Sequence, residues 1–157
     1  MSIRIERILF PTDYSELAQA ALDHAVAMAA AFEAEFHCLH VVDDAYQYWS
    51  ALGPESIPMG PPPEELLELG RTRMVKFAGE HLTGLSKPAV THVAMGRPFA
   101  EIIAHARAKD ISLIVMGTHG RGAIAHMLLG STTEKVVRKA PCPVLTVRGK
   151  DQEFVMP

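Results

Sequence analysis

Residues 112–117 read Ser-Leu-Ile-Val-Met-Gly, and the four side chains from Leu113 to Met116 are all apolar. An amphipathic helix or a half-exposed strand shows polar positions at regular spacing. A short apolar run without a polar side is instead typical of a strand that is covered on both faces, as in the interior of parallel sheets. Gly117 ends the run, so the stretch predicts an interior parallel strand that leads directly into a turn.

Apolar runs and helical patterns alternate along the rest of the chain. The predicted strands are 8–10, 36–42, 90–95, 112–116 and 144–147, and helical periodicity covers about 17–32, 67–85, 98–106 and 131–140. Ser15 and Asp13 are the two candidate caps of the first helix, and Pro98 suits a first helical position. Such alternation builds a parallel sheet through right-handed crossovers. The predicted fold class is therefore α/β, a single doubly wound five-stranded parallel sheet with helices on both faces.

The composition is that of one soluble domain. The chain has 157 residues, of which 48% are hydrophobic and 21% charged, which fits a single domain over 1–157 and excludes a disordered or collagen-like chain. A net charge of −3 argues against nucleic-acid or anionic-membrane partners. Charged side chains interrupt the apolar stretch Ala18 to Phe36, so no transmembrane helix is predicted. Because Cys38 and Cys142 form no disulfide pattern and no signal-peptide core is visible, we expect a cytoplasmic location.

One long segment, 43–63, differs in composition from the rest. It contains five prolines together with Tyr46, Tyr48 and Trp49, and proline disfavours regular structure, so we predict a long loop. The aromatic side chains either cover a ligand, contact a partner or anchor the loop to the surface, and these alternatives stay open. The tail 149–157 contains no predicted element.

The segment after the fourth predicted strand combines two glycine turns. The motif Gly117-x-x-Gly120-x-Gly122 is followed, after an apolar stretch, by Gly130-Ser131-Thr132 at the start of the last helix. Glycine lets backbone N–H groups approach an anion, and a helix N-terminus adds unpaired donors and about half a positive charge. Ligands of doubly wound sheets lie beyond the carboxyl ends of the strands, where this segment falls. The segment therefore predicts a phosphate-binding cradle.

A structural interpretation of the same residues is the alternative. In it the glycines only shape a tight loop, and Ser131-x-x-Glu134 forms an ordinary capping box. A capping box and a phosphate compete for the same N–H donors, so both cannot hold at Ser131.

Two common nucleotide motifs are absent from the sequence. The glycine triplet follows the fourth strand and not the first, unlike a dinucleotide fingerprint, and no Gly-x-x-x-x-Gly-Lys-Ser/Thr run exists. Without that lysine, fast phosphate hydrolysis lacks one electrostatic support, and Arg121 is the nearest candidate cation. Binding is therefore favoured over turnover, and no catalytic residue is predicted. No dedicated metal site is predicted either, because His37 and His40 point to opposite faces of a strand.

Four blocks spread over nearly the whole chain carry a family resemblance. They are Pro11-Thr12-Asp13, Leu39-His40-Val41-Val42, Gly117-x2-Gly120-x9-Gly130-Ser131 and Pro141-Cys142-Pro143-Val144-Leu145-Thr146-Val147. In this combination the chain resembles the universal stress protein family, in its ATP-binding branch. The resemblance implies the strand order 3-2-1-4-5 and one nucleotide-binding domain over 1–157. The loop 43–63 and the tail have no counterpart in it.

The resemblance also implies a set of ligand contacts. Adenine is expected near Asp13, Val41 and Met116, with Pro11 and Thr12 in the same wall. Together with the glycine cradle, the residues expected around the ribose and phosphates are Gly117, His119, Gly120, Arg121, Gly122, Gly130, Ser131, Thr132 and Val144. The implied cofactor is ATP, with Mg²⁺ or Mn²⁺ bound through its phosphates. Asp13 is not favoured as a direct metal ligand.

The expected function is that of a cytoplasmic ATP-binding stress-response or regulatory protein, at most a weak ATPase. Nucleotide occupancy would alter its conformation or its choice of an unidentified protein partner. Exposed edge strands invite pairing, and the resemblance implies a homodimer through the last strand with Val144, Leu145 and Val147. Two alternatives stay open: a nucleotide-free interaction scaffold of the same fold, and a flavin-binding electron carrier, because FMN also presents a phosphate and a flat ring.

Overall fold

Five strands and four helices alternate along the part of the chain that is described. The computed structural model describes residues 3–44, 60–119 and 129–149. The strands are β1 (Arg7–Pro11), β2 (Glu35–Asp43), β3 (Val90–Gly96), β4 (Leu113–Gly117) and β5 (Val144–Val147), and the helices are α1 (Glu16–Phe32), α2 (Pro63–His81), α3 (Pro98–Ala108) and α4 (Ser131–Lys139). All strand pairs are parallel, in the order β3-β2-β1-β4-β5. The predicted fold class and strand order are confirmed.

The sheet has a hydrophobic core on each face, which explains the apolar runs of its central strands. Successive side chains of a strand point to opposite faces. Ile8 and Phe10 therefore pack with α1 and α2 on one side of β1, whereas Leu9 packs with α3 and α4 on the other. All five residues of β4 are buried, as expected for an interior strand.

Element boundaries differ from the predicted ones by a few residues. α2 begins at Pro63, before the first apolar position of the predicted helix, because a proline at the first helical position gives up no hydrogen bond there. It ends at His81, so Leu85 lies beyond the helix. Ser15 caps α1 by accepting a hydrogen bond from the Ala18 amide at 3.2 Å, which decides between the two candidate caps.

Some predictions concern parts of the chain outside the described residues. Tyr46, Tyr48 and Trp49 of the predicted loop belong to this group, as does the tail beyond Gly149. Of the helices within the described ranges, none combines the length and the apolar character that crossing a bilayer requires.

The pairing between β1 and β4 stops early. Two residues, Ile8 and Leu9, join β1 to β4, whereas β1 stays paired with β2 up to Pro11. The amide of Thr12 donates to the carbonyl oxygen of Leu39 in β2 at 2.8 Å. Backbone groups of successive strand residues face opposite neighbours, so Pro11 faces β4. Proline has no N–H to donate, so the ladder with β4 does not continue beyond Leu9 and a crevice opens between the two strand ends.

Short contacts fasten the start of α4 to the end of β4. The buried hydroxyl of Thr133 donates to the carbonyl oxygen of Gly117 at 3.0 Å. The amide of Gly130 donates to the carbonyl oxygen of Thr118 at 2.7 Å. Gly117 has no room for a side chain, because a Cβ there would lie 2.8 Å from the carbonyl oxygen of Leu17. The N-terminus of α4 is therefore held at the edge of the crevice.

Replacing Thr133 with valine tests this attachment, because valine keeps the side-chain shape and removes the donor to Gly117. Loss of a buried hydrogen bond should lower the free energy of unfolding by about 1–3 kcal/mol. Thr133→Ser, which keeps the hydroxyl and loses one methyl group, is the matched control and should lose about 0.8 kcal/mol. Urea denaturation measures both variants. A Thr133→Val protein as stable as Thr133→Ser would contradict the anchoring role of the hydroxyl.

Candidate functional site

A cavity of about 530 Å³ opens at the carboxyl ends of β1, β2 and β4. It lies where β1 and β4 part and where the winding direction reverses, which is the usual ligand position in a doubly wound sheet. Its volume falls in the range of small-molecule pockets, roughly 300–1,000 Å³. The described residues that line it are Pro11, Thr12, Asp13, Ala18, Leu39, His40, Val41, Val42, Asp43, Pro98, Ile102, Met116, Gly117, His119, Gly130, Ser131, Thr132 and Thr133.

One part of the cavity wall is apolar. Leu39 and Val41 come from β2, Met116 from β4 and Ile102 from α3. Leu39, Met116 and Ile102 are buried members of the core on the α3 face, so the core beneath fixes their positions. A slot of this kind suits a flat ring whose faces pack against aliphatic side chains.

The turn after β1 places polar groups in another part of the wall. Tyr14 has a left-handed backbone with φ 61°, and its amide donates to the hydroxyl oxygen of Thr12 at 3.0 Å. The Ser15 amide donates to the carboxylate of Asp13 at 2.9 Å. His40 Nδ1 donates to the Thr12 carbonyl oxygen at 2.9 Å, and its ring centroid lies 4.4 Å from that of Tyr14. These local hydrogen bonds hold Asp13 at the wall of the cavity.

The start of α4 brings backbone donors to a further part of the cavity. Gly130 is the N-cap, with φ −66° and ψ 156°, and it has no side chain to cap the helix. The capping box from Ser131 to Glu134 is therefore wrong, and Glu134 pairs instead with Arg138 at 2.9 Å. The Gly130 amide is bonded to the end of β4, but the amides of residues 131–133, at the helix start, have no carbonyl partner one turn back within the helix. Those three residues line the cavity.

The charges around the cavity are negative in the described part of its lining, which contains no lysine or arginine. Asp13 and Asp43 supply carboxylates, and the N-terminus of α4 supplies a partial positive charge. His119 is buried, with Nδ1 3.2 Å from the Thr118 hydroxyl. Within residues 3–44, 60–119 and 129–149, no three His, Cys, Asp or Glu side chains are arranged to hold a metal ion. An anionic ligand would therefore meet neutral donors here.

Most of the residues predicted to contact a nucleotide lie around this one cavity. The structure brings together Pro11, Thr12, Asp13, Val41, Met116, Gly117, His119, Gly130, Ser131 and Thr132. Gly120, Arg121 and Gly122 lie outside the described residues. Val144 is not part of the described lining, because it pairs with Ile114 at the start of β5 and packs against the core on the α3 face.

The sequence prediction missed some lining residues. Ile102 lies in the helix predicted over 98–106 and reaches the cavity together with Pro98. Thr133, in the helix predicted over 131–140, also lines the cavity. The available signal is topological, because a right-handed crossover places helix N-termini at the same sheet edge as the strand ends. His40 and Asp43 are two further lining residues that were not among the predicted contacts. The topology indicates them more directly, since both lie near the carboxyl end of β2.

Sequence comparison relates the chain to a known family. The universal stress protein family model matches residues 4–148. Universal stress protein MJ0531 of Methanocaldococcus jannaschii is 34% identical, over 94% of this chain and 85% of that protein. Universal stress protein YxiE of Bacillus subtilis is 35% identical, over 90% of this chain and 98% of that protein.

Solved structures agree with these sequence relatives. The structure of MJ0577, also from M. jannaschii, superposes with a TM-score of 0.78 at 31% identity, covering 95% of this chain and 99% of that one. UspA from Lactobacillus plantarum has a TM-score of 0.72 at 31% identity, covering 94% and 100%. A universal stress protein solved in complex with cAMP shares the fold, with a TM-score of 0.58 at 24% identity over 92% and 98% of the two chains. On the family match and these relatives together, the chain belongs to the universal stress protein family.

Proposed function

We propose that this chain binds ATP in the cavity between β1 and β4 and acts as a cytoplasmic regulatory protein of the stress response, with slow or no hydrolysis. The observation that carries the proposal is the presence, in one cavity, of an apolar slot and a helix N-terminus. A nucleotide has both matching parts, a flat ring to bury and phosphates to hold. Membership of the universal stress protein family supports the role in stress.

The base and ribose occupy the part of the cavity near β1 and β2. Val41 and Met116 pack against the adenine ring, and Pro11 and Thr12 shape the wall beside them. The carboxylate of Asp13 accepts hydrogen bonds from the base or from a ribose hydroxyl. The rigid turn that holds Asp13 lowers the entropy lost on binding.

The phosphates occupy the start of α4. The amides and hydroxyls of Ser131 and Thr132 donate to phosphate oxygens, as helix N-termini commonly do. Gly130 has no side chain, so phosphates can approach the backbone. Gly117, His119, Gly120, Arg121 and Gly122 complete the cradle in this proposal.

A divalent cation, Mg²⁺ or Mn²⁺, accompanies the phosphates. The described lining holds carboxylates and no lysine or arginine, and Arg121 of the proposed cradle carries one charge, so a triphosphate needs a further source of positive charge. Mg²⁺ binds phosphate oxygens and keeps several waters, so it requires no dedicated set of protein ligands. When bound it supplies neutralisation of the phosphate charge. The absence of lysine and arginine from the described lining favours binding over turnover, because phosphoryl transfer depends on fixed cations.

Unfolding measurements with ATP, ADP, AMP, cAMP and FMN, each with Mg²⁺, test the ligand class. ATP at 100 times its dissociation constant should add ~2.7 kcal/mol to the free energy of unfolding. Stabilisation by FMN and not by ATP would favour the flavin-binding electron carrier. No stabilisation by any of the compounds would favour the interaction scaffold. The cAMP sample is included because a protein of this fold has been solved with cAMP.

Gly130→Ala tests the position of the phosphates. A methyl group at the N-cap should enter the space that the phosphates occupy and weaken ATP binding by about tenfold or more, roughly 1.4 kcal/mol. The φ of −66° at this residue suits alanine, so the backbone itself is not strained. Gly79→Ala is the control, because a Cβ there meets nothing within 4 Å. Equal ATP affinity of both variants, measured by calorimetry, would refute the proposed placement.

We also propose a homodimer through β5. This strand is last in the sheet order, so one of its edges has no partner strand within the described residues. Val144 and Leu145 are half-buried in the single chain, and Val147 is buried. Exposed edges favour pairing with a second chain. Val144 and Leu145 are therefore the side chains with most surface left to bury, whereas the backbone carbonyl of Val147 faces β4 and accepts the amide of Thr118 at 3.0 Å.

Leu145→Lys tests this interface. A charge on the shared surface should convert the dimer to a monomer, which sedimentation velocity detects as a halved mass. Val90→Lys, on β3 at the opposite edge of the sheet and 37% exposed, is the matched control and should stay dimeric. Circular dichroism checks that both variants are folded. A folded Leu145→Lys protein with unchanged mass would rule out the β5 interface.

A further inference from the structure

Away from the described lining of the cavity, three imidazoles and one carboxylate form a cluster between the sheet and α3. They are His37 and Glu35 of β2, His92 of β3 and His105 of α3, and we call these four residues the histidine cluster. The ring centroid of His105 lies 5.5 Å from that of His37 and 5.4 Å from that of His92. The side chain of His37 is 3% exposed and that of Glu35 is 43% exposed. The cluster thus connects a buried imidazole with solvent.

The hydrogen bonds of the histidine cluster accommodate one extra proton but not two. His37 Nε2 donates to the Glu35 carboxylate at 2.6 Å, and His37 Nδ1 lies 3.2 Å from His105 Nε2. One nitrogen of that second pair must donate and the other accept. With both rings neutral His105 donates, and with His37 charged His37 donates. When both rings are imidazolium, both nitrogens carry hydrogen, the bond is lost and two like charges face each other.

The surroundings of His105 do not compensate a second proton. The charged or titratable groups around it and its partners are Arg7 on β1, Glu35 and His37 on β2, Lys87 before β3, His92 on β3 and Lys109 at the end of α3. α4 also packs on α3, but its Lys135 and Lys139 lie over the ring of Phe99, near the first turn of α3. Glu35 is the carboxylate among these groups, and its bond to His37 already uses it. Glu101, four residues before His105 on α3, lies with its side chain against Gly96 at the end of β3.

α3 connects the histidine cluster with the cavity. Pro98 and Ile102 of this helix line the cavity. His105 follows Ile102 by three residues, so the two side chains lie about one turn apart on the same side of the helix. On β2, His37 shares its face with Leu39 and Val41, which also line the cavity. A change in how α3 is attached at His105 therefore reaches the cavity wall through one rigid helix.

We propose that the histidine cluster is a proton-operated latch that holds α3 against β2. With one extra proton or none, the bond between His37 and His105 holds the helix. A second proton breaks this bond and releases the helix from the sheet at that point. Acidification thereby loosens one wall of the cavity. The effect on ligand binding rests on the proposed function, whereas the latch itself does not.

The direction of the pH effect follows from the pKa of His105. Burial, and then the charges of His37, His92 and Lys109, lower the pKa of His105 from 6.5 to about 4. The latched state therefore takes its second proton less readily than the released state. Neutral His105 therefore stabilises the latched state fully above pH 6.5. This stabilisation declines as the pH falls and is lost as the pH passes through about 4. Glu35, whose pKa is lowered chiefly by its bond to His37, acts in the same direction below its ordinary value of 4.5.

Hydrogen exchange of backbone amides in the full chain, followed by NMR at about pH 7.5 and about pH 5 in buffer with EDTA, tests the latch. A proton that binds at 6.5 in the released state and at about 4 in the latched state favours release by up to about 30-fold near pH 5. Since His105 is partly exposed, we expect protection factors in α3 to fall on the order of tenfold. Amides of α1 serve as the internal control and should change much less. Equal protection of α3 at both pH values, or an equal loss in α1, would overturn the proposal.

Two variants separate the latch from general acid sensitivity. His105→Gln can still donate an N–H to His37 but takes no proton, so its α3 should keep the same protection at both pH values. His24→Gln, at an exposed histidine of α1 whose ring contacts Ala20 of its own helix, is the control and should behave like the wild type. Loss of α3 protection in His105→Gln as large as in the wild type would overturn the latch.

A measurement on the wild type does not depend on the folding of any variant. The ¹⁵N resonances of the imidazoles should show that His105 becomes an imidazolium well below pH 6.5, over the pH interval in which the amides of α3 lose protection. Titration of His105 at its ordinary value of 6.5 would overturn the proposal. ATP affinity at the two pH values then tests whether the histidine cluster is coupled to the cavity. A loss of affinity at low pH that is smaller in His105→Gln than in the wild type supports the coupling. Equal losses in the two proteins refute it. Absence of ATP binding at either pH would instead count against the proposed function, while hydrogen exchange still decides the latch.

Discussion

The cavity depends on one missing hydrogen-bond donor in the middle of the sheet. Pro11 occupies the position on β1 that faces β4, where an ordinary residue would donate its amide and extend the ladder. Without that donor the two strands part after Leu9, although β1 continues to pair with β2. The gap falls where the winding direction reverses, so no crossover helix covers it. Apolar side chains from the core then form the floor of the opening, and polar turns form its rim.

In its described part, the rim presents hydrogen-bond donors without lysine or arginine side chains. The backbone amides at the start of α4 are directed by the helix that carries them. That direction holds because Thr133 and Gly130 tie the first turn of α4 to the end of β4. The geometry of the donors is therefore set by buried hydrogen bonds. These hydrogen bonds join a hydroxyl and an amide to carbonyl oxygens, so they do not change with pH in the range where carboxylates and imidazoles titrate.

Most of the fold could be predicted from the sequence because its signals are local. The apolar run from Leu113 to Met116 has no polar face, and this alone requires cover on both sides. The contacts that could not be predicted join segments that are distant in the sequence. The last helix begins at Ser131 as predicted, but the hydrogen bond from the Gly130 amide to the Thr118 carbonyl oxygen, which fixes its position, depends on two separate segments. His37 and His105 are 68 residues apart in sequence, so their hydrogen bond appears only when α3 crosses β2.

The two helices that border the cavity are attached by different chemistry. α4 is held by a hydroxyl and an amide that donate to carbonyl oxygens, and these groups keep their protons at every physiological pH. α3 has no side-chain cap at its start; it is held by the apolar contacts of Ile102 and Ala106 and by the imidazole pair. Apolar contacts are non-directional and tolerate small shifts of a helix, whereas a hydrogen bond between two imidazoles is lost when both are protonated. A response to acid is therefore expected at the attachment of α3 to β2, whereas the hydrogen bonds that join the start of α4 to β4 contain no group that titrates in this range.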